Sequence, residues 1–167
     1  MTNEFKKALQ QFISESSIAA IDEQIAKYPE DQRQSAVMSA LMIVQEECNH
    51  LNTELMDAVA DYLNMPAIAV YEVATFYSLY EHEPVGKHII TICRSISCYL
   101  RGSDKILSEL EGHLGVDCGQ TTIDGCFTLK TAECLGACVN APMMQIDKDY
   151  HERLHAEGLS EILEKYN

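Results

Sequence analysis

His88-Ile-Ile-Thr-Ile-Cys93-Arg-Ser-Ile-Ser-Cys98 reads as a strand that ends in a turn bearing two cysteines. Its first six residues form a short, β-branched, apolar run, the pattern of a buried strand. A second strand, Cys126-Phe-Thr-Leu-Lys130, is followed by a second cysteine pair, Cys134-Leu-Gly-Ala-Cys138. Between the two strands, Ser103 to Leu114 reads as a helix with Ile106, Leu107 and Leu110 on one side. A strand–helix–strand crossover within one sheet makes its strands parallel. Parallel neighbours end on the same edge. The two cysteine turns are therefore expected side by side, although 35 residues lie between Cys98 and Cys134.

Downstream, Met143-Met-Gln-Ile146 and Tyr150-His-Glu-Arg-Leu154 flank Asp147-Lys-Asp149, which reads as a hairpin turn. Leu159, Ile162, Leu163 and Tyr166 mark a last helix. Upstream, the pattern breaks at Glu81-His-Glu-Pro-Val-Gly86. All eight glycines lie at or beyond Gly86, and a glycine-free stretch rich in Ala, Leu, Met, Glu and Gln favours helix. Four apolar stripes at helical spacing agree: Phe5, Ala8, Leu9 and Phe12; Ile18, Ile21 and Ile25; Val37, Ala40, Leu41 and Val44; and Leu55, Met56, Val59, Ala60 and Leu63. Asp31 and Asn52 are the expected helix N-caps, and Pro66 suits the first turn of a helix running to Tyr77. The expectation is an all-α helical bundle region over residues 1–85, used for partner docking, and an α/β domain over residues 86–167.

Composition and charge narrow the chemistry. A chain of 167 residues can bury one good core, or one domain plus a smaller one. The formal net charge of −14 excludes a nucleic-acid or anionic-membrane surface, since both need a basic face. The two halves differ here too. Residues 1–85 hold 4 basic and 14 acidic side chains, and residues 86–167 hold 8 and 12. No apolar run reaches the length of a membrane span, and Met1-Thr-Asn-Glu-Phe-Lys-Lys has no signal-peptide core. The chain is thus expected in a reducing cytoplasm, where seven cysteines do not form a disulfide framework.

Cys93, Cys98, Cys134 and Cys138 supply four thiolates, a complete ligand set for a thiolate-bound metal centre. Two centres fit such a set, a structural zinc and a 2Fe-2S cluster. Zinc gathers four thiolates on one ion, commonly from C-x2-C turns. The spacings here are x4 and x3. A two-iron cluster is larger and takes two cysteines per iron, which suits wider turns.

The stretches Cys93-Arg-Ser-Ile-Ser-Cys-Tyr-Leu-Arg-Gly102, Gly119-Gln-Thr-Thr-Ile-Asp-Gly125, Phe127-Thr-Leu and Glu133-Cys-Leu-Gly-Ala-Cys-Val-Asn-Ala-Pro-Met-Met144 resemble the thioredoxin-like 2Fe-2S ferredoxin family. Val73-Ala-Thr-Phe-Tyr77, Pro84-Val-Gly86 and the helical first half resemble the branch of it found in respiratory NADH:quinone oxidoreductase (complex I). The resemblance implies a thioredoxin-like fold in residues 86–167 and one 2Fe-2S cluster on Cys93, Cys98, Cys134 and Cys138. It also implies an oxidoreductase subunit with no catalytic site of its own. FMN and NADH would bind a partner flavoprotein subunit, beside other iron–sulfur subunits of a peripheral arm at the inner membrane. Similar subunits serve NAD-linked hydrogenases and formate dehydrogenases.

Other motifs are weaker. His151-Glu-Arg-Leu-His155 satisfies the H-E-x-x-H zinc-protease pattern, but that pattern works only on a helix. On a strand its two histidines would stand about 13 Å apart, too far to share an ion. Cys48, Cys118 and Cys126 read as small buried or half-buried residues. His50, His82, His88 and His113 read as surface or satisfied core positions, and Met38, Met42, Met56 and Met65 as helix core. A colourless zinc-stabilised binding module is the alternative to the iron–sulfur reading, and the protease is the remotest.

Overall fold

The computed structural model describes residues 8–166. The chain divides between Pro84 and Val85 into two compact units. Phe5 and the Met1–Lys7 stretch lie outside the described residues.

The first unit is helical: α1 (Glu15–Ile25), α2 (Val37–Cys48), α3 (Thr53–Leu63) and α4 (Ala67–Phe76). Local chemistry sets their ends. Ser14 accepts the amide of Ser17 to start α1. Asn52 accepts the amide of Leu55, at 2.9 Å, to start α3. Asn49 and Asn64 terminate α2 and α3 in the left-handed region, with φ 71° and 55°, which asparagine tolerates better than most residues. Asp31 is not a cap. It sits inside a 3-10 turn, Glu30–Ala36, that leads straight into α2, and the Val37 amide already bonds the Gln34 carbonyl. The expected stripes face the core: Ile18 and Ile21, then Leu41 and Val44, then Leu55, Val59 and Leu63 are all buried. On the first stripe Leu9 is buried but Phe12 is exposed. Met38 and Met42, expected in the core, are also exposed.

The second unit is a four-stranded sheet in the order β2-β1-β3-β4, with β1 (His88–Cys93), β2 (Phe127–Ala132), β3 (Met144–Ile146) and β4 (Asp149–His151). β1 and β2 are parallel, with His88 opposite Phe127 and Cys93 opposite Ala132. β3 and β4 form an antiparallel hairpin on the other side of β1. Asp147, at φ 52°, turns that hairpin, and its carboxylate accepts the Ile89 amide at 2.9 Å. Three helices complete the unit: α5 (Ile96–Leu100), α6 (Ser103–Leu114) and α7 (Leu159–Leu163). Ile90 and Ile92 of β1 pack with Leu110 of α6, Leu129 of β2 and Ile146 of β3 in a core separate from that of the first unit. The chain is thus mixed α/β behind a helical region. No described helix is long and apolar enough to cross a membrane.

Gly86 sits where this unit begins. Its amide donates to Thr128 Oγ1 at 2.6 Å, and a Cβ at this position would lie 2.8 Å from the Phe127 carbonyl carbon. The obstacle is strand backbone, which cannot swing aside. Gly86→Ala is expected to destabilise the second unit by about 1–3 kcal/mol, read as a lower urea midpoint for that unit.

Candidate metal centre

The parallel pairing of β1 and β2 does what the crossover requires. Cys93, the last residue of the central strand β1, lies opposite Ala132, two residues before Cys134. Backbone bonds fix this end from both sides: the Arg94 amide donates to the Ala132 carbonyl at 2.8 Å, and the Cys93 amide to the Met143 carbonyl at 3.2 Å. The chain then enters α5, a short helix absent from the sequence expectation, which read Cys93–Cys98 as a loop. A helix of five residues gives too little periodicity to reveal it. Cys98 rides on α5 and is buried, packed with Cys93, Ala141 and Met143. Cys134 and Cys138 are exposed, and their sulfurs lie 3.8 Å apart.

The four thiols bear on one another. Burial pushes the Cys98 thiol up to about 11, with Cys93 adding to the rise and a backbone hydrogen bond from Met143 opposing it. Cys134 is lowered, first by the Gly136 amide donating to its sulfur and then by the Cys138 thiol. That N–H···S contact is 3.4 Å. Gly136 adopts φ +88° to make it, a conformation that favours glycine. Cys138 is raised because it donates to Cys134. Cys93 acts on all three of the others. The Ser95 side chain also hydrogen-bonds to Cys134. In the metal-free chain Cys134 should therefore be alkylated by iodoacetamide at neutral pH much faster than Cys98, since thiolate content and access both favour it. Peptide mapping after a short pulse would read the order.

The donor set fits a metal centre. Metal–sulfur bonds of about 2.3 Å at tetrahedral angles hold two sulfurs about 3.8 Å apart, which is the Cys134–Cys138 spacing. Cys93 and Cys98 pack together in one buried cluster, where the Cys93 thiol donates to the Glu133 carbonyl at 3.8 Å.

The H-E-x-x-H stretch turns out to brace the second cysteine turn. It is not helical: β4 ends at His151, Arg153 takes φ 52°, and His155 is extended. The strand expected to run to Leu154 stops at His151 because Arg153 turns away to meet Asn140. Its guanidinium donates to Asn140 Oδ1 at 2.9 and 3.2 Å, and its amide to the Asn140 carbonyl at 2.8 Å. Asn140 in turn donates to Glu152 at 2.6 Å. The Leu154 amide donates to the Pro142 carbonyl, and the Tyr150 hydroxyl donates to the Leu135 carbonyl. His151 contacts the Tyr166 hydroxyl at 2.9 Å, and burial lowers its pKa. Glu152 is thus committed to Asn140, and the two histidines share no helix face. The sequence carried no signal for this brace, because each partner is an ordinary polar residue.

The remaining cysteines stand apart. Cys48 and Cys126 are half-buried as expected, but Cys118 is exposed. It lies in a turn ahead of β2, where its amide donates to Glu111 at 3.2 Å. His88 pairs through Nδ1 with Asp147 at 2.6 Å, whereas its buried Nε2 has no hydrogen-bond partner.

The sequence profile of the thioredoxin-like 2Fe-2S ferredoxin family matches residues 21–167. A subunit of the NADH-quinone oxidoreductase of Rhizobium meliloti (strain 1021) is 47% identical over 87% of this chain and 86% of its own length. The corresponding NADH-quinone oxidoreductase subunit of Rickettsia typhi is 43% identical over 85% of this chain and 84% of its own. Among solved structures, an NAD+-reducing nickel–iron hydrogenase in the air-oxidised state is similar in fold, with a TM-score of 0.69 and 20% identity over 83% of this chain. The match spans about a quarter, 24%, of that hydrogenase chain.

Proposed function

The chain belongs to the thioredoxin-like 2Fe-2S ferredoxin family, and from that we propose that Cys93, Cys98, Cys134 and Cys138 hold one 2Fe-2S cluster in a subunit of an NADH dehydrogenase module. The observation that carries this reading is the placement of both cysteine turns at the same end of two paired parallel strands, with the Cys134 and Cys138 sulfurs already at metal-sharing distance. Such a cluster, when bound, takes up and gives back single electrons. The protein's own work is to fix the sulfurs and set their surroundings. The two strand ends and the Arg153–Asn140 brace hold the turns. The Gly136 amide and the Met143 backbone direct hydrogen bonds at Cys134 and Cys98, which shifts a cluster's potential upward.

The electron partner is a flavoprotein subunit that carries FMN and oxidises NADH, alongside other iron–sulfur subunits of a peripheral arm at the inner membrane. Ile96, Tyr99, Leu100 and Val139 support this. They are exposed apolar side chains on the same short segments as the cysteines. Apolar side chains left exposed beside the proposed ligands suit a protein interface. The equivalent diaphorase role in an NAD-linked hydrogenase or formate dehydrogenase uses the same chemistry, and the hydrogenase fold likeness keeps it as the second reading.

The test is a reductive titration of the purified subunit with and without its co-expressed flavoprotein. NADH is expected to bleach the visible spectrum and raise a reduced-state EPR signal only when the flavoprotein is present. A preparation with zinc in place of iron and acid-labile sulfide would refute the cluster. A cluster that dithionite reduces but NADH plus flavoprotein does not would refute the electron route alone.

A further inference from the structure

α2 carries more apolar surface than its own core uses. Val37, Leu41 and Val44 are buried, yet Met38 and Met42 on the other side are each 37% exposed. Over Val37–Val44 only Ser39 is polar, and a helical stretch so apolar is normally covered on every side. Together with Ile43, the two methionines line a groove of about 330 Å³ to which Leu79, itself 39% exposed, Tyr80 and Gln24 also contribute. The groove is preformed. The Tyr80 hydroxyl donates to the Met38 carbonyl at 2.9 Å. Gln45 fixes the neighbouring segment, donating to the Leu79 carbonyl at 3.0 Å and accepting the Glu81 amide at 2.6 Å. Ordering such a surface on binding therefore costs little, and methionine adapts to varied apolar partners.

Charge selects the occupant. Residues 8–84 hold thirteen acidic side chains against two basic ones, Lys27 and Arg33. Lys27 donates to Gln24 and Arg33 to the Tyr62 carbonyl. Glu46 is exposed one turn beyond Met42 on the same helix face, and Glu83 is exposed four residues past Leu79. An apolar groove in so acidic a surround suits a segment with an apolar stripe and cationic flanks. Among the described residues this unit has no strand, so it offers no sheet edge for an extended peptide to join. We infer that the groove docks an amphipathic helix of a partner subunit, with apolar residues against Met38, Met42 and Leu79 and lysines or arginines toward the acidic surface. This rests on the reading of the chain as one subunit of a larger complex.

The experiment uses the assembled complex from its native source, with photoreactive benzoylphenylalanine incorporated at position 42. Irradiation is expected to join this position to a segment of another subunit. Mass spectrometry should find that segment apolar at helical spacing and net positive. In parallel, Met42→Lys and Met38→Ser should weaken association with the rest of the complex at least about tenfold. Both positions are open enough for the fold to survive, which circular dichroism checks. A cross-link to a second copy of this chain, to a neutral or acidic segment, or to nothing would overturn the inference, as would undiminished association of both folded variants. Iron and acid-labile sulfide, measured on the same samples, report separately on the cluster. A covered groove without iron would sink only the electron-carrier reading, and an intact cluster beside an uncovered groove would sink only this one.

Discussion

Cys134→Ala is expected to purify colourless, without acid-labile sulfide and without a reduced-state EPR signal, while Cys118→Ala and Cys126→Ala keep all three. Of the four proposed ligands, Cys134 is the most telling to remove. It is exposed, so truncating it opens no cavity, and loss of iron cannot be put down to a damaged core. Cys98, fully buried on α5, would confound the two. The Cys134 sulfur is also the one that gathers the most support: the Gly136 amide, the Cys138 thiol and the Ser95 side chain all address it. Even partners outside the ligand sphere cost about 10–100-fold in metal affinity when removed, so a ligand should cost more. Full iron in the folded variant, measured by metal analysis, would remove Cys134 from the ligand set. The exposed Cys118 gives the sharper control, since it answers whether an accessible thiol alone suffices.

Stripping the iron should lower the melting temperature of the second unit by more than about 15 °C and leave the first where it was. The reasoning is linkage. A ligand that binds only the folded site stabilises it by about 4 kcal/mol at a thousandfold excess over its dissociation constant. For a unit of this size each kcal/mol is worth about 4–8 °C. The effect should stay local because each unit has its own core, with Leu41, Leu55 and Val59 in one and Ile90, Leu110 and Leu129 in the other. Differential scanning calorimetry before and after anaerobic chelation reads both transitions. Equal falls in the two, or a fall in neither, would contradict the prediction.

The sequence was most legible where pattern is periodic and burial is complete. His88–Cys93 and Ser103–Leu114 end where the β-branched apolar run and the apolar stripe place them, because a strand buried between two others and a helix packed on it leave little freedom. The meeting of the cysteine turns followed from chain topology alone. Three things were not legible. Met38 and Met42 share the spacing of core residues, and nothing local distinguishes a face turned to the core from one turned to a partner. α5 is one turn long, shorter than any period can register. The Arg153–Asn140 brace joins residues 13 apart through ordinary polar groups, and only three-dimensional folding pairs them. The H-E-x-x-H pattern misleads for a related reason: its chemistry belongs to a helix, and Arg153 in the left-handed region forbids one there.

That brace also orders events during synthesis. Tyr150, Glu152 and Arg153 leave the ribosome after all four cysteines. A nascent chain that has reached Met144 owns every sulfur but nothing to pin the Leu135–Asn140 turn. If these four thiols hold the cluster, iron delivered at that stage would meet them without a frame, so the cluster is expected to assemble on the finished polypeptide rather than on the growing one.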